Sequence, residues 1–462
     1  MLAARDKRAK RWANMSNFSS ADRTRVRIVI LGGGFAGLYT TLHLQRIFRR
    51  RADVDITLVS RDNYFTMTPL LFEAGSGVLE PRHAVSPIRP LFHLEKAQFV
   101  EAEVCDVDLN AQIVQTILVH REPLEIPYDH LVIALGGVTN TVIIPGSTKA
   151  MTFKTLADAI FLRNHVIERF EQADVEKDEA RKRALLTFVI IGAGLVGVEL
   201  QGELHEFLHH VRRLYLNVPE SMLRFELIEA GPRVLAELDE DLAQYAHDVY
   251  VKRGINVRVN TKVAKVERGR VRLANGESIE SETIVLAAGV MPSPLIEKFD
   301  LAKDRKGRVS VEPTMRAIDR TNVWALGDCA AIPDPTGKPY PPLAQHAMRE
   351  ARVVATNIKA QIDGQPLQPF VYHSLGTLAA LGKFKGVGRV LNFKLRGFPA
   401  WFAWRTYYLF QMPRWSRRVR IMIDWTISLL FSYDVVELDL TLDKNISRAE
   451  GRSALQHSRH PD

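Results

Sequence analysis

Only two cysteines, Cys105 and Cys329, occur in 462 residues, far apart and without a Cys-x-x-Cys pair. Their scarcity excludes a disulfide framework, a zinc ribbon and a dithiol redox centre, and it fits a reducing cytoplasm. Long hydrophobic runs are also missing. No stretch reaches about 18 uninterrupted apolar residues, so no membrane-spanning helix is expected. The opening "MLAARDKRAKRWANMSNFSS" has no apolar core and reads as a disordered basic arm over 1–24 rather than a secretory signal. Acid is absent from residues 383–420, which hold ten basic residues, while residues 1–27 hold eight basic and two acidic ones. Those two segments exceed the net charge of +9, so the remainder is acidic. The basic surface is therefore local and calls for an anionic partner. The rest is ordinary globular composition, 46% hydrophobic and 25% charged, with length for two or three domains.

What is present is a repeat. "LGGGFAGLYT" (31–40) and "IGAGLVGVEL" (191–200) share Gly-x-Gly-x-x-Gly spacing. "RVRIVI" (25–30) leads into the first as a strand, with a helix expected over 37–48 and a strand at "VDITLVS" (54–60). "LLTFVII" (185–191) leads into the second, with a helix expected from about Val198 and a strand at "RFELIEA" (224–230). After each unit comes an apolar strand ending in glycine, "DHLVIALGG" (129–137) and "ETIVLAAGV" (282–290). The charged segment 168–183 reads as a solvated helix or linker into the second unit, and 446–462 as a disordered tail.

In such a cradle the first glycine allows a tight turn, the second lets a pyrophosphate approach the backbone, and the third lets helix and strand pack closely. Each copy here follows a strand and opens a helix, which is the context the motif needs. Gly32, Gly34, Phe35, Ala36 and Gly37 form the first cradle; Gly192, Gly194 and Gly197 form the second, with Gly289 closing its later strand. Glu229 ends the strand after the second cradle, where a carboxylate hydrogen-bonds a ribose 2′-hydroxyl and repels a 2′-phosphate. That site should prefer NADH to NADPH. Ser60 holds the corresponding place after the first cradle. "NVWALGDCAAI" (322–332) supplies Gly327 and Asp328 at a late strand end. In flavoproteins with two nucleotide domains such an aspartate holds the ribityl chain of FAD. One cradle would then hold a resident flavin and the other a visiting NADH, so hydride can pass between them.

"TPLLFEAGSGVLEP" (68–81), "GVELQGEL" (197–204), "ALGDCAAI" (325–332), "PLAQHAMREA" (342–351) and "FAWRTYYLFQMPRWSRRVRIMIDWTISLLF" (402–431) together resemble the type II NADH dehydrogenases over roughly residues 25–440. These are single-chain FAD enzymes that reduce membrane quinone without pumping protons. The resemblance implies an α/β fold with two Rossmann-like dinucleotide-binding domains, glutathione-reductase-like, plus a C-terminal amphipathic membrane-docking region. Its boundaries would be FAD-binding over 25–150 and 291–370, NADH-binding over 151–290, and membrane-associating over 371–445. It implies a catalytic or proton-supplying role for Glu199, a flavin- and quinone-facing segment Ala344-Gln345-His346, flavin contacts from Thr68 and Pro69 (with Leu70 beside them), and a quinone-site lysine at Lys383. Where the family often has Ala-Gly-Glu, this chain has Gln201-Gly202-Glu203. The greater spacing between the second cradle and Glu229 implies a lengthened helix.

Four of the six tryptophans, Trp401, Trp404, Trp415 and Trp425, fall within 398–431. Helical spacing puts Arg417, Arg420, Asp424 and Ser428 on one face and Val419, Met422, Trp425 and Leu429 on a broad apolar one, flanked by Ile421 and Ile423. An aromatic amphipathic helix with flanking arginines suits an anionic lipid surface; a core helix or a homodimer contact is the plainer alternative. Basic-aromatic interleaving also suits single-stranded nucleic acid, which nothing else in the sequence supports. "HEFLH" (205–209) matches a zinc-protease pattern but lies on the cradle helix, and no metal is expected. The expected activity is NADH:quinone oxidoreduction at the cytoplasmic face of the cell membrane, in a respiratory chain. The alternatives are a soluble FAD-dependent NAD(P)H oxidase or electron-carrier reductase, and a flavin redox sensor. Sulfide oxidation is disfavoured because its chemistry needs paired cysteines.

Overall fold

Val26–Leu31 is apolar and β-branched along its length and buried at its end, as a strand covered on both faces must be. It pairs in parallel with Val54–Ser60 on one side and His130–Ile133 on the other. Ala97–Asp108 and Val323–Ala325 add parallel strands outside these two. Two antiparallel strands, Ile113–Leu118 and Pro123–Pro127, continue one edge to complete a seven-stranded sheet. The protein is described by a computed structural model over residues 25–92, 96–118, 122–372, 374–431 and 433–438. The arm expected at 1–24, the tail at 446–462 and the last residues of the 371–445 region lie outside these described residues.

A second, five-stranded sheet repeats the logic. Thr187–Ile191 lies between Arg224–Ile228 and Thr283–Leu286, with Asn256–Arg258 and Met151–Thr152 at the edges, all parallel. In each sheet a central strand, Val26–Leu31 or Thr187–Ile191, runs into a helix, Phe35–Ile47 or Leu195–Arg212, and chain order reverses about that strand. That reversal opens a crevice at the strand ends, where ligands of open α/β sheets bind. The fold class is therefore α/β with two Rossmann-like sheets.

Both helices begin earlier than expected, because the third glycine of each cradle already lies inside the first turn. The second is the longer, 18 residues against 13, in line with the greater spacing before Glu229. Segment 168–183 is mostly helical rather than a loose linker. It spans the end of Leu156–Val175, started by a capping box of Thr155 and Asp158, and the start of Glu179–Leu185.

Beyond the sheets, the antiparallel strands Gly376–Ala380, Gly386–Val390 and Phe393–Arg396 lead into two helices, Phe398–Gln411 and Trp415–Leu430. Among the described residues no helix is long and apolar enough to cross a membrane. The last helix is turned differently from its sequence pattern. Ile421 and Trp425 are buried, while Met422, Ile423, Ile427 and Leu430 are exposed. Trp425 leaves the outward apolar face because its indole N–H finds a buried carboxylate, a partner that lipid or water-facing positions lack. Asp424 faces the body instead, against His83 at 2.5 Å, and the backbone carbonyl of Ser428 accepts from Lys383 Nζ at 3.3 Å.

Candidate functional site

The two cradles superimpose in their hydrogen bonding. Gly32 N–H donates to the Val59 carbonyl and Gly192 N–H to the Ile228 carbonyl. Ser60 and Glu229, each one residue further on, therefore occupy equivalent places. Gly32 and Gly192 adopt φ of 106° and 103°, which favour glycine. A Cβ on Gly37 would lie 1.9 Å from the Gly32 carbonyl oxygen, and one on Gly197 would lie 1.8 Å from that of Gly192. The middle glycines differ in kind: a Cβ on Gly34 meets nothing within 4 Å, and one on Gly194 meets only Glu237 at 3.4 Å. Both helices start without a side-chain cap and without an acid in the first turn. Open space, uncapped N–H groups and the positive helix end fit a dinucleotide pyrophosphate at each site.

Around the first cradle the structure gathers residues distant in sequence. A Cβ on Gly33 would lie 2.6 Å from Ser60 Oγ, so Ser60 closes one side. Gly327, at φ 73°, packs so tightly on the cradle helix that its Cβ would sit 3.1 Å from that of Ala36. Asp328 follows, 3.6 Å from Lys154 Nζ. Phe35 meets Phe65 edge to face at 4.9 Å. Thr68 and Pro69 form a short 3-10 turn that launches the helix Leu71–Ser76. Ala344, Gln345 and His346 open the helix Ala344–Ile362, which packs along the first cradle helix. His346 Nδ1 bonds the Pro341 carbonyl at 2.9 Å, and its ring packs edge-on against Tyr340 and Tyr372. Beneath the late turn Glu350 accepts the Gly327 N–H at 2.8 Å; burial pushes its carboxyl up to about 8. Sequence reading gave no role to Lys154, which has no motif of its own, or to Glu350, although Glu350 lies within the quoted stretch 342–351.

At the second cradle Glu229 accepts the Ala193 N–H and the Gly231 N–H, both at 2.7 Å. Its carboxylate is thus fixed against the nucleotide turn. Gly289, at φ 74°, lies three residues past the end of the neighbouring strand Thr283–Leu286 rather than closing it, because the strand stops at Leu286. The His-Glu-x-x-His pair is occupied otherwise: His205 Nε2 bonds the Arg253 carbonyl, and both rings stack on each other and on Phe225. Burial lowers His205 to about 4.

Glu199, Gln345 and Lys383 meet one segment. Gln345 Nε2 reaches the Gly376 carbonyl at 3.5 Å, and Glu199 accepts the Ala380 N–H at 3.1 Å, about 13 Å along the same strand. Lys383 lies three residues further on, with Nζ over the Phe384 ring. Glu199 also accepts the Trp404 indole N–H at 2.6 Å. Burial dominates its environment and raises its carboxyl to about 8 against those two hydrogen bonds. Gly202 permits this packing, because its Cβ would lie 2.6 Å from the Leu381 carbonyl carbon.

Beside Glu199 lie two carboxyls, both inside stretches that carried the resemblance, to which sequence reading gave no role. Glu203 shares its helix face, and Glu73 comes from the helix Leu71–Ser76. Arg405 donates to Glu73 through Nε at 3.0 Å and Nη2 at 2.7 Å, and Trp425 donates to the other oxygen at 2.6 Å. The i,i+4 spacing of Glu199 and Glu203 was legible. Glu73 and Arg405, 332 positions apart, were not.

This geometry defines a class, an α/β protein with two Rossmann-like cradles of the kind found in pyridine-nucleotide oxidoreductases. Residues 26–351 match the family model described as pyridine nucleotide-disulphide oxidoreductase. The chain is 32% identical to a probable NADH dehydrogenase of Dictyostelium discoideum, over 88% of this chain and 90% of that protein. It is 30% identical to the type II NADH:quinone oxidoreductase Ndh of Mycobacterium tuberculosis, over 88% of each. In fold it is similar to NDH2 from Plasmodium falciparum, solved in complex with NADH, with a TM-score of 0.82 at 22% identity; the match spans 89% of this chain and all of that one. The chain belongs to the type II NADH:quinone oxidoreductase family.

Proposed function

We propose that this protein oxidises NADH and reduces a membrane quinone, with FAD as the resident cofactor. The observation that carries the reading is the pair of equivalent cradles, only one of which is closed by a late Gly-Asp turn. Gly32, Gly34, Phe35, Ala36, Gly37 and Ser60 would hold the adenosine and pyrophosphate end of FAD, and Asp328 its ribityl chain. Thr68, Pro69, Ala344, Gln345 and His346 would border its ring. Bound there, FAD supplies a two-electron store filled by hydride from NADH and emptied into quinone. Gly192, Gly194 and Gly197 bind the NADH pyrophosphate, Gly289 borders the same crevice, and the Glu229 carboxylate takes the ribose hydroxyls and repels a 2′-phosphate. Glu199, raised to about 8, retains a proton near neutral pH and so can hold and give one. Gln345 and Lys383 border the quinone side.

On this reading 25–150 and 291–370 form the flavin domain, 151–290 the NADH domain, and 371–445 the membrane-associating region. The outer side of the last two helices presents Phe398, Phe402, Phe410, Trp415, Ile423 and Leu430, with arginines among them. Such a surface suits peripheral attachment to anionic lipid at the cytoplasmic face, or the contact of a homodimer.

The test is anaerobic absorbance of the purified protein at the flavin band, adding NADH and then a short-chain benzoquinone. Rapid bleaching followed by rapid recovery is expected. Bleaching without recovery would sink the quinone assignment and favour a soluble reductase. NADPH should bleach the flavin far less efficiently; equal efficiencies would remove Glu229 from the ribose.

A further inference from the structure

Three carboxylates lie on one stripe of the helix Leu195–Arg212, at positions 199, 203 and 206. The i, i+4, i+7 spacing keeps them on one face. Glu199 and Glu203 are each 5% exposed, whereas the Glu206 side chain is 28% exposed and paired with Arg253. The stripe thus runs from the buried Glu199 out to water.

The groups facing this stripe come from every packed element. The helix Leu71–Ser76 gives Glu73 and Ser76, and Phe398–Gln411 gives Trp404, Arg405 and Tyr408. Glu240–Lys252 gives Tyr250, with Arg253 just beyond it, Tyr433 follows the last helix, and Lys385, just before Gly386–Val390, faces the Glu206 end. Among the described residues the cation at the buried end is Arg405, and its hydrogen bonds go to Glu73. Trp425 completes that carboxylate. Among the described residues Glu203 is offered only the Ser76 hydroxyl, at 3.3 Å, which also lies 3.2 Å from the Glu73 carbonyl. Among the same residues Glu199 receives only neutral N–H groups. Two adjacent buried anions with no cation hydrogen-bonded to either would cost several kcal/mol; the Arg405 charge draws Glu203 down, but its hydrogen bonds are taken by Glu73 and burial outweighs it. The pair therefore keeps protons at neutral pH, and burial raises both carboxyls.

We propose that Glu203 is a second proton-holding carboxyl of the reaction, which refills Glu199 and is itself refilled from water at the Glu206 end. The inference rests on the quinone-reducing function proposed above. NADH, one proton from solution and quinone give NAD+ and quinol. When the O–H bond of Glu199 breaks to supply a proton, the Glu203 O–H bond breaks in turn and a new one forms on Glu199. The Glu203 carboxylate then takes a proton from water, so one proton enters per turnover. Glu203 acts through Glu199 and is a positioning and relay group rather than one that touches substrate.

The experiment compares wild type, Glu203→Gln and Glu203→Asp with bound flavin content as the check of folding. Glutamine keeps an acceptor for Ser76 but carries no exchangeable carboxyl proton. Turnover with a short-chain benzoquinone should fall on the order of a hundred-fold in E203Q at pH 8, the low end of what a positioned acid supplies. E203D should recover part of that loss, and the drop should shrink toward pH 6 as Glu199 stays protonated. The infrared difference between NADH-reduced and quinone-reoxidised protein reads proton movement directly. A carboxylic-acid carbonyl band that shifts in D2O should lose one component in E203Q. An unchanged pH profile with an unchanged band would overturn the proposal. If the wild type itself fails to reoxidise with quinone, the function reading falls and the relay falls with it, a result distinct from a failure confined to Glu203.

Discussion

Replacing Arg405 by methionine is the sharpest structural test of the buried acid cluster. The guanidinium makes two hydrogen bonds to Glu73 Oε1 and lies between two indoles, 4.2 Å from the Trp401 ring and 4.7 Å from the Trp425 ring. The Arg405 and Glu73 side chains are 10% and 2% exposed. A surface pair contributes about 1 kcal/mol at most, but breaking a buried pair by removing one partner costs about 3–5 kcal/mol, because the other charge is left uncompensated. Methionine preserves much of the apolar stem, so most of the loss comes from charge rather than packing. R405M should therefore lose about 3–5 kcal/mol. The double variant E73Q/R405M should recover at least half, since glutamine removes the stranded charge and still accepts the Trp425 N–H. A guanidinium titration followed by tryptophan fluorescence would measure both, since two of the reporters flank the mutated side chain. A loss below about 1 kcal/mol in R405M, the value of an exposed pair, would refute the reasoning.

Gly37→Ala should lose bound flavin while Gly197→Ala keeps the flavin but fails to bleach with NADH, because each Cβ clashes with the carbonyl of its own cradle at 1.9 Å or 1.8 Å. Absorbance of the purified variants separates the two, and loss of flavin from G197A would reverse the assignment. Glu350 gives a stability prediction. Its folded carboxyl sits at about 8 against an ordinary value of 4.5. Between those values the folded state keeps a proton that the unfolded state releases, so stability falls as pH rises, by at most about 1.4 kcal/mol per unit from this group. Thermal unfolding from pH 5 to 8 should be flatter in E350Q than in wild type, and parallel profiles would show that Glu350 stays ionised.

How much was legible in the chain depended on distance along it. Each cradle is a local strand–turn–helix unit, so glycine spacing and hydrophobic pattern disclosed both, together with Glu229 and the late Gly-Asp turn. Helix starts were misplaced by two or three residues because a glycine inside a first turn looks like a glycine before one. The face of the last helix was misread because periodicity treats tryptophan as apolar, and Trp425 follows its N–H to Glu73.

By itself the sequence determined two Rossmann-like units, their glycines and an acid at the end of the strand after the second cradle, since these follow from backbone sterics and short-range periodicity. Tertiary structure alone decided that Gly327 closes on Ala36 and that Lys154 reaches Asp328. It also decided that one arginine gives its hydrogen bonds to Glu73 and leaves Glu199 and Glu203 with neutral donors among the described residues. Which of three buried carboxyls is paired depends on helices brought together from opposite ends of the chain, and no local pattern encodes that choice.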